Sequence, residues 1–232
     1  VQALQYETMR IIMHGAKCSI GDQMHPTGKL EPATYKLIGE AYKMVEAKES
    51  YCRGAKPVAE IAILAPTAVT HNQDFEDAEI GAAMMLTETM HLFDMVDDTV
   101  DFNKYQVVIL PDEIPIDVEM GHKLAQFTRN GGKVIASGNS LDNLDCGVVR
   151  DGISPHYIDY TFAKPLVTEG MVSSNFFNYL PAVKTKLTDG EVLAEVKAPY
   201  FNRTEEKFCS HVNTPCSHED AGYPGIVRKG NV

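Results

Sequence analysis

Apolar positions along the chain recur at helical spacing in some stretches and form short unbroken runs in others. Residues 1–13 carry a helical pattern ending in Ile11, Ile12 and Met13. His14–Pro26 reads as a short apolar strand candidate followed by a polar, Gly-containing loop, and 27–30 as a linker or turn. Pro32 stands where a first helical residue belongs, and Tyr35, Ile38, Tyr42 and Val45 then predict an amphipathic helix to about Tyr51. Arg53-Gly-Ala-Lys-Pro57 breaks the pattern. Val58–Leu64 is a nearly continuous apolar run, as expected of a strand covered on both faces.

Asp74–Val96 reads as one long helix, with Asp74, Glu76 and Asp77 at its positive end. Val100–Phe102 is a short strand or turn, and Gln106–Leu110 a second all-apolar strand closed by Pro111-Asp-Glu. Ile116–Arg129 is a helix with Met120, Leu124 and Phe127 on one face, stopped at Gly131. Lys133–Ala136 is the next strand. Alternating strands and helices with short connections predict an α/β fold, a parallel sheet flanked by helices on both faces. Residues 151–199 are less regular, with Val192–Val196 a strand, and 199–217 are loop-like. No internal repeat is visible.

The chain has 232 residues, enough for one sizeable α/β domain with extra segments or two small ones. A net charge of −11 without any basic run argues against nucleic acid and anionic membrane as partners. No apolar stretch reaches the roughly 20 residues that span a bilayer. Five scattered cysteines do not make a disulfide framework. No signal peptide is visible, and secreted, periplasmic and cytoplasmic locations all stay open for a parent protein. The helical pattern at Val1 and the strand-like start at Gly230-Asn-Val232 predict a fragment cut from a longer polypeptide.

Chemistry-bearing residues gather in a few places. Lys133-Val-Ile-Ala-Ser-Gly-Asn-Ser140 is a strand running into a sharp turn. In amidotransferase-like α/β folds such a turn presents Cys or Ser in a Gly-x-Cys-x-Gly or Gly-x-Ser-x-Gly frame. Here Asn139 follows Gly138, and a carboxamide is not a nucleophile; neither Ser137 nor Ser140 has the frame. The elbow therefore reads as degenerate, against the alternative of a stand-alone hydrolase or small-molecule binder with a pocket lined by Ser137, Asn139 and Ser140. Cys146 lies beyond the turn, after Asp142 and Asp145, which would raise its thiol pKa.

Asp22, Gln23 and His25 concentrate hydrogen-bonding groups on one loop, suited either to sugar hydroxyls or to capping a turn. Cys209, His211, Cys216 and His218 could hold zinc, but their spacing departs from the usual ligand pairs, and a loop tied by His211 and Asn202-Arg-Thr204 is the alternative. No metal or cofactor is assigned. Met84, Met85, Met90 and Met95 are read as core packing against the sheet, with an interaction surface as the alternative. Asp97, Asp98 and Asp101 read as a solvated turn rather than a cation site.

Taken together, Ser19-Ile-Gly-Asp-Gln-Met-His-Pro26, Pro57-Val-Ala-Glu-Ile-Ala-Ile-Leu64, Tyr105-Gln-Val-Val-Ile-Leu-Pro-Asp112 and Gly131-Gly-Lys-Val-Ile-Ala-Ser-Gly138 resemble the middle, trimerisation domain of family 42-type β-galactosidases and related glycoside hydrolases. That resemblance implies an amidotransferase-like (flavodoxin-like) three-layer sandwich over 55–232, a connecting helix over 29–54, and the end of a catalytic (β/α)₈ barrel in 1–28. It implies a non-catalytic oligomerisation domain, self-associating as a trimer or other homo-oligomer. Its further partners would be the parent's catalytic barrel and carbohydrate substrate, with Asp22, Gln23 and His25 near the sugar. The two carboxylates of glycosidic chemistry would lie outside this chain, so no residue here is expected to be catalytic and the chain alone is not expected to be active. The absence of Trp departs from the galactosidase pattern.

Overall fold

The computed structural model describes residues 1–56 and 58–232. Pro57, part of the predicted break and of one resembling segment, lies outside the described residues. The chain divides into two compact units, Val1–Val58 and Ala59–Val232.

The first unit is a helix pair. α1 spans Gln2–Met13 and α2 spans Pro32–Cys52. Pro32 opens α2 behind Glu31, whose side chain accepts from the Ala33 N–H at 3.3 Å. Thr8, Ala41 and Val45 are the buried positions of the two helices. Residues 14–26 form no strand. Gly15, at φ 78°, turns the chain out of α1, and Cys18 is tied back by its thiol to the Thr8 carbonyl at 3.2 Å. The Cys18 carbonyl in turn accepts from Tyr42 Oη at 3.2 Å. With those groups bonded to the helices, the stretch has no ladder to join.

The second unit is built on a four-stranded parallel sheet of order β2-β1-β3-β4: Phe93–Val96, Ile61–Leu64, Val107–Leu110 and Lys133–Ala136. Burial follows position. Central β1 is covered on both faces, so Ala62, Ile63 and Leu64 are all fully buried. α5 (Val118–Arg129) covers one face, where Met120, Leu124 and Phe127 join Ala62, Leu64, Val108, Leu110 and Val134 in the main core. Burying each of those α5 side chains contributes about 1.5–3 kcal/mol. Asp117 caps the helix by accepting from the Met120 N–H at 2.8 Å. α3 (Pro66–Thr70) follows β1, and α4 (Glu76–Glu88) covers the other face through Ala82, which packs with Ile63 and Phe93. This is the expected three-layer α/β sandwich.

The predicted helix over Asp74–Val96 is two elements. A 3₁₀ turn leads into α4, which stops at Glu88; Met90 then takes φ 59°, and Phe93–Val96 becomes edge strand β2. A four-residue edge strand gives too little alternation to stand out against the helical spacing before it. The methionines are not core: Met84, Met85 and Met90 are 55%, 65% and 90% exposed. Ala82, with partly buried Ala83 and Leu86, makes the sheet contact instead.

Residues 148–228 hold more strand than the sequence pattern suggests. β6 (Asp159–Ala163), β7 (Asn175–Asn178), β9 (Glu191–Pro199) and β10 (Cys216–Arg228) form an antiparallel sheet of order β10-β9-β6-β7. β5 (Val148–Ile153) pairs with β8 (Val183–Leu187). Asp151-Gly152, which reads as a turn, sits at a register shift inside β5. Gly222, Pro224 and Gly225 similarly lie inside β10, whose pairing with β9 shifts register repeatedly.

Candidate functional site

The elbow lies where β4 leaves the parallel sheet, at the carboxyl end of the strands. Gly138 takes φ 54°, and a Cβ there would come within 2.8 Å of the Asp112 Cα. Glycine lets the turn 137–140 pass directly over the loop that follows β3. The Asn139 N–H donates to the Asp112 carbonyl at 2.6 Å. The Ser137 hydroxyl accepts from the Asp112 N–H at 3.1 Å. Ser140 is fully buried, and its hydroxyl accepts from the Ile114 N–H at 2.9 Å and donates toward the Pro111 carbonyl at 3.5 Å. Both serines therefore hold the 111–114 loop and face main-chain groups rather than a general base.

Asn139 follows Gly138 in the turn after β4. Its carboxamide nitrogen donates to both oxygens of Glu113, each at 3.2 Å. Its carboxamide oxygen accepts from the Arg150 guanidinium, which also donates to the Asn139 main-chain oxygen at 2.5 Å. Arg150 Nε reaches Asp142 at 3.3 Å. The result is a chain of partners, Glu113, Asn139, Arg150 and Asp142, that saturates the amide and neutralises the guanidinium locally. Such a set positions a loop; it supplies neither an attacking atom nor a free charge.

Cys146 does not rescue the chemistry. It is buried, its thiol donates weakly to the Val148 carbonyl at 3.7 Å, and burial pushes its pKa up. A thiol so placed stays protonated and inert.

A concave pocket lined by Ser137, Asn139 and Ser140 is what the alternative of a stand-alone hydrolase or small-molecule binder requires. A cleft of about 620 Å³ runs between α5 and the chain's last residues, bounded by Val118, Leu124, Ala125, Leu144 and Val232. None of the elbow residues lines it.

Asp22, Gln23 and His25 share an exposed coil of the first unit. His25 closes a turn there, its carbonyl accepting from the Gly28 N–H at 2.8 Å. The Cys209–His218 segment is held by its own main chain. Cys209 Sγ donates to the carbonyls of His211 and Asn213 at 3.3 and 3.8 Å, and Cys216 Sγ accepts from the His218 N–H at 3.3 Å. Arg203 donates to the Cys209 carbonyl at 3.1 Å, and Asn202 bridges to Pro155 and Tyr157 at 2.7 and 3.0 Å. Among the described residues, no three His, Cys, Asp or Glu side chains converge as metal ligands. Asp97 and Asp101 each fold onto the residue two ahead, with hydrogen bonds to Thr99 and Asn103 holding their carboxyls below the usual range.

Sequence reasoning singled out the turn at 137–140 but not its partners Glu113 and Arg150. Arg150 sits on β5, a strand the sequence did not reveal, and nothing in its neighbourhood signals a partner eleven residues back.

No protein-family model matches the chain, and neither does any curated protein. Solved structures do match. The fold is that of an α/β domain found in solved glycoside hydrolases. In particular, the chain is 38% identical to α-L-fucosidase isoenzyme 2 from Paenibacillus thiaminolyticus, with a TM-score of 0.87 over 99% of this chain and 36% of that one. It shares its fold with a catalytic mutant of Gan42B, a GH42 β-galactosidase from G. stearothermophilus, at TM-score 0.65, 16% identity, and 86% and 34% coverage. The β-galactosidase from Bacillus circulans sp. alkalophilus gives TM-score 0.64, 15% identity, and 90% and 32% coverage. The chain thus spans about a third of the length of each of these proteins.

Proposed function

We propose that this chain is a non-catalytic assembly domain of a glycoside hydrolase, with the glycosidic carboxylates outside it. The observation that carries this reading is Asn139: the elbow position holds a carboxamide whose groups are engaged by Glu113 and Arg150. The whole-length likeness to part of a fucosidase supports an α-L-fucoside as the parent's substrate ahead of a β-galactoside, since the galactosidase likenesses extend to fold alone. On this reading residues 1–28 end a catalytic barrel and 29–54 connect it to the domain of 55–232. Asp22, Gln23 and His25 belong to the loop that meets sugar, and copies of the domain pack against one another.

The test compares the chain with its parent on aryl α-L-fucoside and aryl β-D-galactoside. Turnover is expected from the parent only. Turnover by the chain alone, lost in Ser140→Ala or Asn139→Ala variants that still fold, would reject the reading and favour a stand-alone hydrolase.

A further inference from the structure

We infer that the outer edge of β7, with the apolar residues that flank it, is where a second copy of this chain docks, an inference that rests on the assembly reading above. β7 ends the antiparallel sheet and pairs on one side only, with Phe177 opposite Tyr160 and Phe176 opposite Thr161 of β6. Its other side presents main-chain N–H and C=O groups that a neighbouring extended segment can pair with.

A free edge invites association, and charged residues are a common guard against it. Among the described edge strands, β7 alone lacks that guard. β2 carries Asp94, β4 carries Lys133, and β10 carries Glu219, Asp220 and Arg228. Both strands of the β5-β8 ribbon are charged, through Arg150 and Asp151 on one and Lys184 and Lys186 on the other. β7 is Asn175-Phe-Phe-Asn178, and no charged residue stands between Glu169 and Lys184.

The flanks extend the neutral edge into an apolar surface. Met171 and Val172 precede the strand and Tyr179 and Leu180 follow it, at 58%, 80%, 79% and 73% exposure. The polar members of the run are Ser173, Ser174, Asn175 and Asn178. Both carboxamides are engaged within the sheet: Asn178 donates to Thr161 Oγ1 at 2.8 Å, and Asn175 Nδ2 contacts His218 Nδ1 at 2.9 Å. The edge is also held in shape before any partner arrives. Phe177 packs edge-to-face with Tyr160 at 5.4 Å and with Tyr179 at 4.5 Å, and the Ala182 N–H donates to Asp159 at 2.8 Å. A strand fixed in this way loses little further freedom on docking.

Charge selects the occupant. A second copy carries the same net charge of −11, so contact costs least where the surface adds no charge of its own. The exposed methionine face of α4 is poorer on this count, because Glu76, Asp77, Glu79 and Glu88 stand on the same helix. The β7 edge adds none, and equally offers no charge to draw a basic or acidic partner.

Sedimentation equilibrium on the 232-residue chain and three variants tests the assignment, with circular dichroism confirming that each is folded. Val172→Lys and Tyr179→Lys place a cation on the β7 flanks, and Met85→Lys places the same cation on α4. Each makes the chain less negative, so weaker association cannot come from general repulsion. An unpaired ammonium is costly to bury in a neutral contact. Val172→Lys and Tyr179→Lys should therefore each raise the dissociation constant about tenfold or more, and Met85→Lys should leave it unchanged. If the unsubstituted chain associates but the β7 variants associate as tightly, or all three variants weaken it alike, the inference is overturned and the assembly reading stands. An unsubstituted chain that stays monomeric overturns both.

Discussion

Arg150 grips Asn139 through both its side-chain and main-chain oxygens, and so fastens β5 to the turn that ends the parallel sheet. The contact joins the sandwich to the antiparallel region at the turn after β4. Charge-assisted bonds of this kind are worth about 1.5–3 kcal/mol. Arg150→Ala should lower unfolding stability by that amount in urea titration. In the parent enzyme it should leave the kcat of the folded fraction unchanged. A drop in kcat with unchanged stability would make the elbow a chemical site.

Gly138 tests the turn's geometry. Alanine there would sit at φ 54° with its Cβ 2.8 Å from Asp112. Gly138→Ala should cost about 1–3 kcal/mol, read as a lower melting temperature. An unchanged melting temperature would mean the two loops do not cross as tightly as the contact requires.

Cys146 is the buried thiol of the five, and burial raises its pKa. With a colourimetric disulfide reagent at about pH 8, it should react last and only at the rate of unfolding, whereas the partly exposed cysteines react directly. Rapid labelling of Cys146 in the folded protein would contradict the packing around residues 144–148.

Lys229 lies 2.5 Å from Asp145 and 2.7 Å from Asp189, and its hydrogen bond holds the Asp189 carboxyl below the usual range. A carboxyl depressed in the folded state stabilises above its unfolded pKa, and that contribution is lost as pH falls through the folded value. The loss therefore falls below about pH 4. Lys229→Met should flatten the decline in urea midpoint between about pH 5 and 3. An equally steep decline in the variant would assign the acid sensitivity elsewhere.

The sandwich was legible because its strands and α5 carry long, clean patterns: Ile61–Leu64 is a buried run, and Met120, Leu124 and Phe127 form one stripe. The antiparallel strands were not. Lys184 and Lys186 alternate on half-solvated β8, and glycines and Pro224 interrupt β10. That residues 137–140 lack a Gly-x-Ser-x-Gly or Gly-x-Cys-x-Gly frame could be read from the sequence. The partners of Asn139 could not, since Glu113 and Arg150 reach it only through the crossing of two loops and an unrecognised strand. The methionines misled because α4 packs on the sheet through Ala82, Ala83 and Leu86, leaving Met84 and Met85 outward.

Self-association is the core of the proposed role, and sedimentation equilibrium on the 232-residue chain beside its parent tests it most directly. The account predicts the same oligomer for both, a trimer. A chain that stays monomeric while the parent associates would place the interface outside this domain. Monomers of both would remove assembly from its function altogether.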